Sequence, residues 1–437
     1  MKTTAPPLAH SHGRRAHPSR RQVLSYALAG LGAAATASAC SPQAPTGPRD
    51  FTFWSFTGIG QKADVQRFME ANPGTTIKLT EVGSSQETAQ ALTTAIAGGK
   101  VPDLALVQAA DLPKFALSPD NFVDYRALGG DDVGSPYLDW VIAQATTREG
   151  QVIGIPTDVG GLAVAYRKDL FEAAGLPTDR DEVSALWPDW PSFIETGRRY
   201  TEATGNPFVD NAATSVFYQA LGQVSEQFYD ADGNYAYTNP QVRQAFDWSL
   251  DALAAGISAR VDSFGSAWNA GIGRGAFAVT CSPSWMLGTI KSQAPDLEGQ
   301  WDLATIPNGI GNWGGSYLAI PAAAERKEAA WEYVRSVQSP ASQLQHFVDA
   351  GSLPTTPENY SKPELAGSTD PYFSDAPTGA IFTKAVLDIT PFPVGRYTAE
   401  IGTELQNAIK AVELSAADPK QAWAKGVRNV EIVVGDL

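Results

Sequence analysis

Residues 51–83, FTFWSFTGIGQKADVQRFMEANPGTTIKLTEVG, decide the fold class of this 437-residue chain. The first six alternate in polarity and are rich in aromatic and β-branched side chains, which predicts a strand. Residues 61–71 place apolar side chains at the helical period and stop at Asn72-Pro73-Gly74, a sequence that ends helices. TTIKLTEVG returns to strand character. Further along, QETAQALTTAIAGGK reads as a second helix closed by Gly98-Gly99, and DLALVQ as a third, almost wholly apolar strand. Strands alternating with helices, where the strands are apolar throughout, predict an α/β fold on a mostly parallel sheet flanked by helices.

Downstream, IGIPTDVGGLAVAYRKDLFEAAG predicts extended segments followed by a helix. GAFAVTCS (275–282) and GSYLAIPA (315–322) predict two late strands separated by a Pro/Gly-rich region, and the chain from Glu325 onward is mostly helical.

The N-terminus carries an address. Arg14, Arg15, Arg20 and Arg21 precede an apolar run from Val23 to Ala35, too short to span a bilayer core of ~30 Å as a helix. Ser19-Arg20-Arg21-Gln22-Val23-Leu24 resembles a twin-arginine export motif, although the general secretory route stays open. Ala37-Ser38-Ala39-Cys40 resembles a lipobox. Residues 1–39 are therefore expected to be a lipoprotein signal, Cys40 the lipidated first residue of the mature chain, and 40–50 a flexible tether rich in Ser, Pro and Gly. The protein would then sit on the extracytoplasmic face of the cell membrane, anchored through Cys40 alone.

Charge and composition exclude several functions. The chain has a formal net charge of −15, and removing 1–39 takes away basic groups only. So acidic a chain, without a basic block, is a poor partner for nucleic acid. Of four histidines, only His346 lies outside residues 1–39, which leaves little for a catalytic triad or a multi-histidine metal site. His346 belongs to an amphipathic helical stretch and is expected at a surface or core edge. Cys281 has no partner in the mature chain and is expected to be a small buried side chain. No metal, cofactor or catalytic residue is expected, and the mature length calls for two domains.

The array of motifs resembles the extracellular solute-binding proteins of ABC importers, family 1, the carbohydrate-binding group that includes maltose-binding protein. The resemblance rests on FTFWSF, FMEANPGTTIKL, TTAIAGGKVPDLALV, IGIPTDVGGLAVAYRKDLFEAAGL, WPDWPSFIETGRR, GRGAFAVTCSPSWM, NWGGSYLAIPA and DAGSLPTTP, which follow the family's order. It implies a two-lobe, type II periplasmic-binding-protein-like fold with a hinge that the chain crosses several times. By that analogy one lobe holds 51–157 plus about 300–350, and the other 158–299 plus about 351–437. It also implies a monomeric receptor that hands a mono- or oligosaccharide to the transmembrane subunits of an importer.

Sugars are held by aromatic faces against apolar ring faces and by carboxylates, amides and Arg against hydroxyls. In open α/β sheets such residues sit beyond the C-terminal ends of strands. Trp54 and Ser55 end the first strand, Ser84 follows the second, and Gln108 and Asp111 follow the third. Trp313, Gly314 and Gly315 form a glycine-rich approach where backbone can meet ligand. The resemblance adds Asp158 near the lobe crossover, Trp285 just past the strand ended by Pro283, and Arg396 in the C-terminal region. Trp187 and Trp190 are expected to pack a helix start, and Asp103 to be structural. Two other functions use similar residues. A secreted glycoside hydrolase would need a pair of carboxylates about one bond, and no such pair stands out. A sensor presenting its ligand to a membrane partner would share the fold.

Overall fold

Strand β1 (Phe51–Ser55) buries alternate residues, Phe51, Phe53 and Ser55, as its sequence pattern requires. Helix α1 (Gln61–Ala71), strand β2 (Ile77–Glu81), helix α2 (Ser85–Gly98) and strand β3 (Leu104–Gln108) follow. The computed structural model describes residues 49–57 and 61–435, so the signal segment, Cys40 and most of the tether lie outside the described residues. Helix α2 shows how local chemistry sets its ends. The Glu87 backbone N–H donates to Ser84 Oγ, the Glu87 carboxylate accepts from the Ser84 N–H, and Gly99 turns the chain at φ 66°.

The remaining elements used below are α3 (Leu112–Ala116), β4 (Ile155–Pro156), β5 (Leu162–Arg167), α4 (Trp190–Thr204), α5 (Pro240–Ala254) and α6 (Ser266–Arg274). Then come β6 (Val279–Pro283), β7 (Trp301–Thr305), β8 (Ser316–Ala319), α7 (Lys327–Val337), α8 (Thr398–Ser415) and α9 (Pro419–Val434). The strands form two sheets, one ordered β2-β1-β3-β8-β4 and one ordered β6-β5-β7. The chain passes from the first to the second between β4 and β5, and returns between β7 and β8.

Two details differ from the sequence reading. In the first sheet only β1–β2 and β1–β3 are parallel, while β8 runs antiparallel to β3 and β4. In the second sheet both named pairings are antiparallel. An apolar strand reports helices on both faces of its sheet, and that burial is the same for either direction of its neighbour. The return to the first sheet also comes later than about residue 300, because Trp301–Thr305 pairs with β5 across Ala163–Arg167.

Cores form on each sheet. Around the first, the rings of Phe51, Phe53 and Phe68 all lie within 5.8 Å of Tyr333 on α7. Around the second, Trp187, Trp190, Phe171, Phe193 and Phe208 make an aromatic cluster under α4, to which α8 and α9 add Ile401, Leu405 and Val430. A further cluster joins residues of both sheets, among them Val107, Ala163, Trp301 and Tyr317. Trp187 and Trp190 are fully buried and donate their indole N–H groups to the Thr305 carbonyl and Gln223 Oε1. Cys281 is likewise buried, on β6.

Asp103 closes the first sheet to its returning chain. One carboxylate oxygen accepts from the Thr52 backbone N–H and hydroxyl, each at 2.8 Å, and the other from the N–H groups of Glu325 and Arg326 ahead of α7. Removing this acceptor strands several donors at a buried junction. Asp103→Ala is expected to lower the unfolding free energy by about 2–4 kcal/mol, measured by urea denaturation.

Candidate functional site

The strand registers bring the site together. On the first sheet Gln108 at the end of β3 pairs with Ser316 at the start of β8. The Ala109 N–H continues that pairing by donating to the Gly315 carbonyl at 3.0 Å, so residues 312–315 lie beside 108–111. On the second sheet Leu162, the first residue of β5, pairs with Pro283, and Ala163 pairs with Thr305. The segments 157–161, 284–285 and 306–315 therefore converge at one end of that sheet.

Their contact is backbone against backbone. The Trp313 N–H donates to the Gly160 carbonyl at 2.8 Å, and the Gly160 N–H to Asn312 Oδ1 at 2.7 Å. A Cβ at position 160 would stand 1.9 Å from the Trp313 carbonyl oxygen, so only glycine fits. Gly314 and Gly315 carry the chain onward at φ 92° and 104°, conformations open to glycine.

Beside this clasp lies a cleft of about 650 Å³ lined from both sheets' surroundings and from the C-terminal helices. Its lining includes the aromatic rings of Trp313, Tyr218 and Phe264. Trp313 has Tyr218 at 5.9 Å, Phe264 at 5.9 Å and Trp285 at 5.8 Å between ring centroids. The Trp285 indole N–H donates to the Trp313 carbonyl at 3.2 Å. The same cleft is lined by polar side chains, among them Gln86 and Gln90 on α2, Gln108 on β3, and Asp111 and Lys114 at α3. Burial pushes the Asp111 carboxyl up to about 6; the negative charge of Glu400, also on the cleft, adds to the rise and Lys114 opposes it. Such a cleft offers both flat apolar surface and hydrogen-bond donors and acceptors.

Of the residues expected from sequence, Gln108, Asp111, Trp313 and Gly314 line this cleft together. Gly315 lies behind it, bonded to Ala109. Trp285 stands behind Phe264 and Trp313, with the Phe264 ring stacked on it at 6.0 Å and 27°. Trp54 borders a separate shallow groove along α2. Ser55 is buried and donates to the Phe56 carbonyl, and Ser84 caps α2. Arg396 is exposed, its guanidinium 5.2 Å over the Tyr397 ring. Asp158 is half-buried at the crossover. It accepts from the Thr157 hydroxyl at 2.7 Å and shares a small cavity of about 20 Å³ with Asp64 and His346, burial raising its pKa. His346 Nδ1 lies 3.2 Å from Asp64; burial works against its charge, but Asp64 holds its pKa above the usual value. Cys40 lies outside the described residues.

Sequence reasoning missed Phe264, Tyr218, Lys114 and Glu400. Only the turn residues around Phe264, Asp-Ser-Phe-Gly, gave any local signal, and they name a turn without saying where it points. Among the described residues no group of three or more His, Cys, Asp or Glu could hold a metal ion, and no helix is long and apolar enough to cross a membrane.

Two crossings between two α/β sheets, with an open cleft at the crossings, define a two-lobe binding protein of type II. The chain belongs to the bacterial extracellular solute-binding protein family, which it matches over residues 63–373. A crystal structure of an extracellular solute-binding protein family 1 member is similar at a TM-score of 0.78 with 31% identity, covering 87% of this chain and 98% of that one. The lactose-binding protein of Rhizobium radiobacter is 27% identical over 433 residues, 89% of this chain and 97% of that protein. The ABC transporter associated binding protein of B. animalis subsp. lactis, solved with beta-1,6-galactobiose, shares the fold at a TM-score of 0.74 and 18% identity, over 89% of this chain and 97% of that one.

The electrostatics of the cleft set a pH dependence. A carboxyl that holds its proton more tightly when folded than when unfolded, where its pKa is near 3.9, contributes stability that is complete below that value. This contribution is lost as pH rises through about 6, for Asp111 and equally for the buried Asp210. Unfolding free energy measured from pH 4 to pH 7 is expected to lose that part, and Asp111→Asn to show a shallower decline than the parent.

Proposed function

We propose that this protein is the lipid-anchored, extracytoplasmic receptor of an ABC importer, and that it captures a sugar or oligosaccharide in the cleft between its lobes. The single observation that carries this reading is that one cleft is lined both by contacting aromatic rings, Trp313, Phe264 and Tyr218, and by polar side chains such as Gln108 and Asp111. That combination matches the two kinds of surface a sugar presents. The sugar-binding relatives, one of them named for lactose and one, from Bacillus subtilis, for arabinooligosaccharides, support the ligand class.

In this proposal the lobes comprise 51–157 with roughly 306–350, and 158–305 with roughly 351–437, and they close over the ligand as rigid bodies. Trp285 supports the aromatic lining, Asp158 lies at the hinge, and the closed receptor delivers its cargo to the permease as a monomer. The protein has no catalytic step of its own. Lipid on Cys40 and the tether through residue 50 hold it at the membrane.

Calorimetric titration with lactose, beta-1,6-galactobiose and arabino-oligosaccharides tests the reading. Saturable binding of at least one, with no turnover, is expected, whereas cleavage of the bound sugar would move the protein to the hydrolases. Trp313→Ala is expected to weaken the binding by about 1–3 kcal/mol, or roughly 5- to 150-fold in Kd. Fractionation of cells tests the anchor: Cys40→Ala should release the protein to the medium or accumulate its precursor. A processed, membrane-bound variant would overturn the anchor.

A further inference from the structure

Phe264 is out of place for a phenylalanine in two respects. The residue is 44% exposed although its ring packs against three tryptophans, one of them fully buried, and its backbone is left-handed at φ 64°. A bulky side chain there is a genuine outlier, held only where the surroundings over-determine it. The surroundings do so. On one side Asp262 is ion-paired with Lys410 of α8 at 2.7 Å, and its carbonyl accepts from the Gly265 N–H at 3.1 Å. On the other, the Ser263 hydroxyl accepts from Asn211 Nδ2 at 2.9 Å. The turn 262–265 is thus pinned to two elements of the second lobe immediately ahead of α6.

The result is a ring that stacks on Trp285 at 27°, tilts against Trp313 and Trp268, and turns its remaining surface to the cleft. Trp285, whose position in the sequence suggests a ligand platform, is half-buried and carries the Phe264 ring stacked against it. We infer that Phe264 is the ring against which the ligand packs in the second lobe, and that Trp285 and the strained turn exist to hold it there. This rests on the reading of the cleft as a sugar site. A flat ring at this point selects ligands with an apolar pyranose-like face over extended polar ones.

The test uses the full mature protein, titrated with lactose, beta-1,6-galactobiose and arabino-oligosaccharides, in three forms: parent, Phe264→Gly and Phe264→Tyr. Glycine accepts the left-handed backbone without strain, so Phe264→Gly should unfold at a urea concentration no lower than the parent. It should bind the parent's sugar about tenfold more weakly, and Phe264→Tyr, which keeps the flat face, should restore binding. Affinity in Phe264→Gly equal to or tighter than the parent's would make Phe264 a cover over Trp285 and overturn the inference. A large loss of stability in the same variant would make the ring core packing and overturn it too. If the parent binds none of the sugars, the carbohydrate reading fails and this inference with it; parental binding that survives Phe264→Gly sinks this inference alone.

Discussion

The approach of Gly160 to the Trp313 carbonyl governs the arrangement of the molecule. Two chain segments that pass between sheets lie in direct backbone contact there, with no room for a single Cβ. Their reciprocal bonds, Trp313 N–H to Gly160 and Gly160 N–H to Asn312, set the end of β5 against the approach to β8. Asn312 Nδ2 turns back to the Gly314 carbonyl, so one side chain fixes both the crossing and the glycine pair that borders the cleft. Were these segments an ordinary side-chain distance apart, Trp313 and Gly314 would not be held beside the Gln108 end of β3 in the lining of one cleft.

Away from the crossings, each sheet has its own aromatic core, and its buried acids serve as junctions. Asp103 ties β1 to the start of α7. Glu413 on α8 accepts from the N–H groups of Ala212 and Ala213 and from the Ser258 hydroxyl. Asp210 accepts from the Ser215 hydroxyl at 2.6 Å and the Trp268 indole at 2.7 Å. Charges buried without such partners would cost several kcal/mol each. Satisfied as they are, these acids tie loops and helices to the strands and cores they border. The same junctions steady the aromatic lining of the cleft, because Trp268 packs against the Phe264 ring and Asp210 accepts from the Trp268 indole.

The sequence by itself determined the elements, since their causes are local. The alternation of Phe51 and Phe53, the Ser84–Glu87 cap, the Gly99 stop and the apolar run of β3 act within a few residues of one another. It also placed Gln108 and Asp111, which follow a strand end directly, and Trp313 with Gly314, where adjacent glycines announce a close approach. Tertiary structure alone decided strand direction, the late return of the chain after β7, and the company each aromatic keeps. Whether a strand runs parallel or antiparallel depends on where a distant segment re-enters, and burial reads the same either way. Trp285 and Phe264 are 21 positions apart in the chain, and nothing near either one says that the first lies behind the second. That order comes from the pinned turn at 262–265 and the crossing at Gly160, contacts between residues whose separation in sequence carries no record of their meeting.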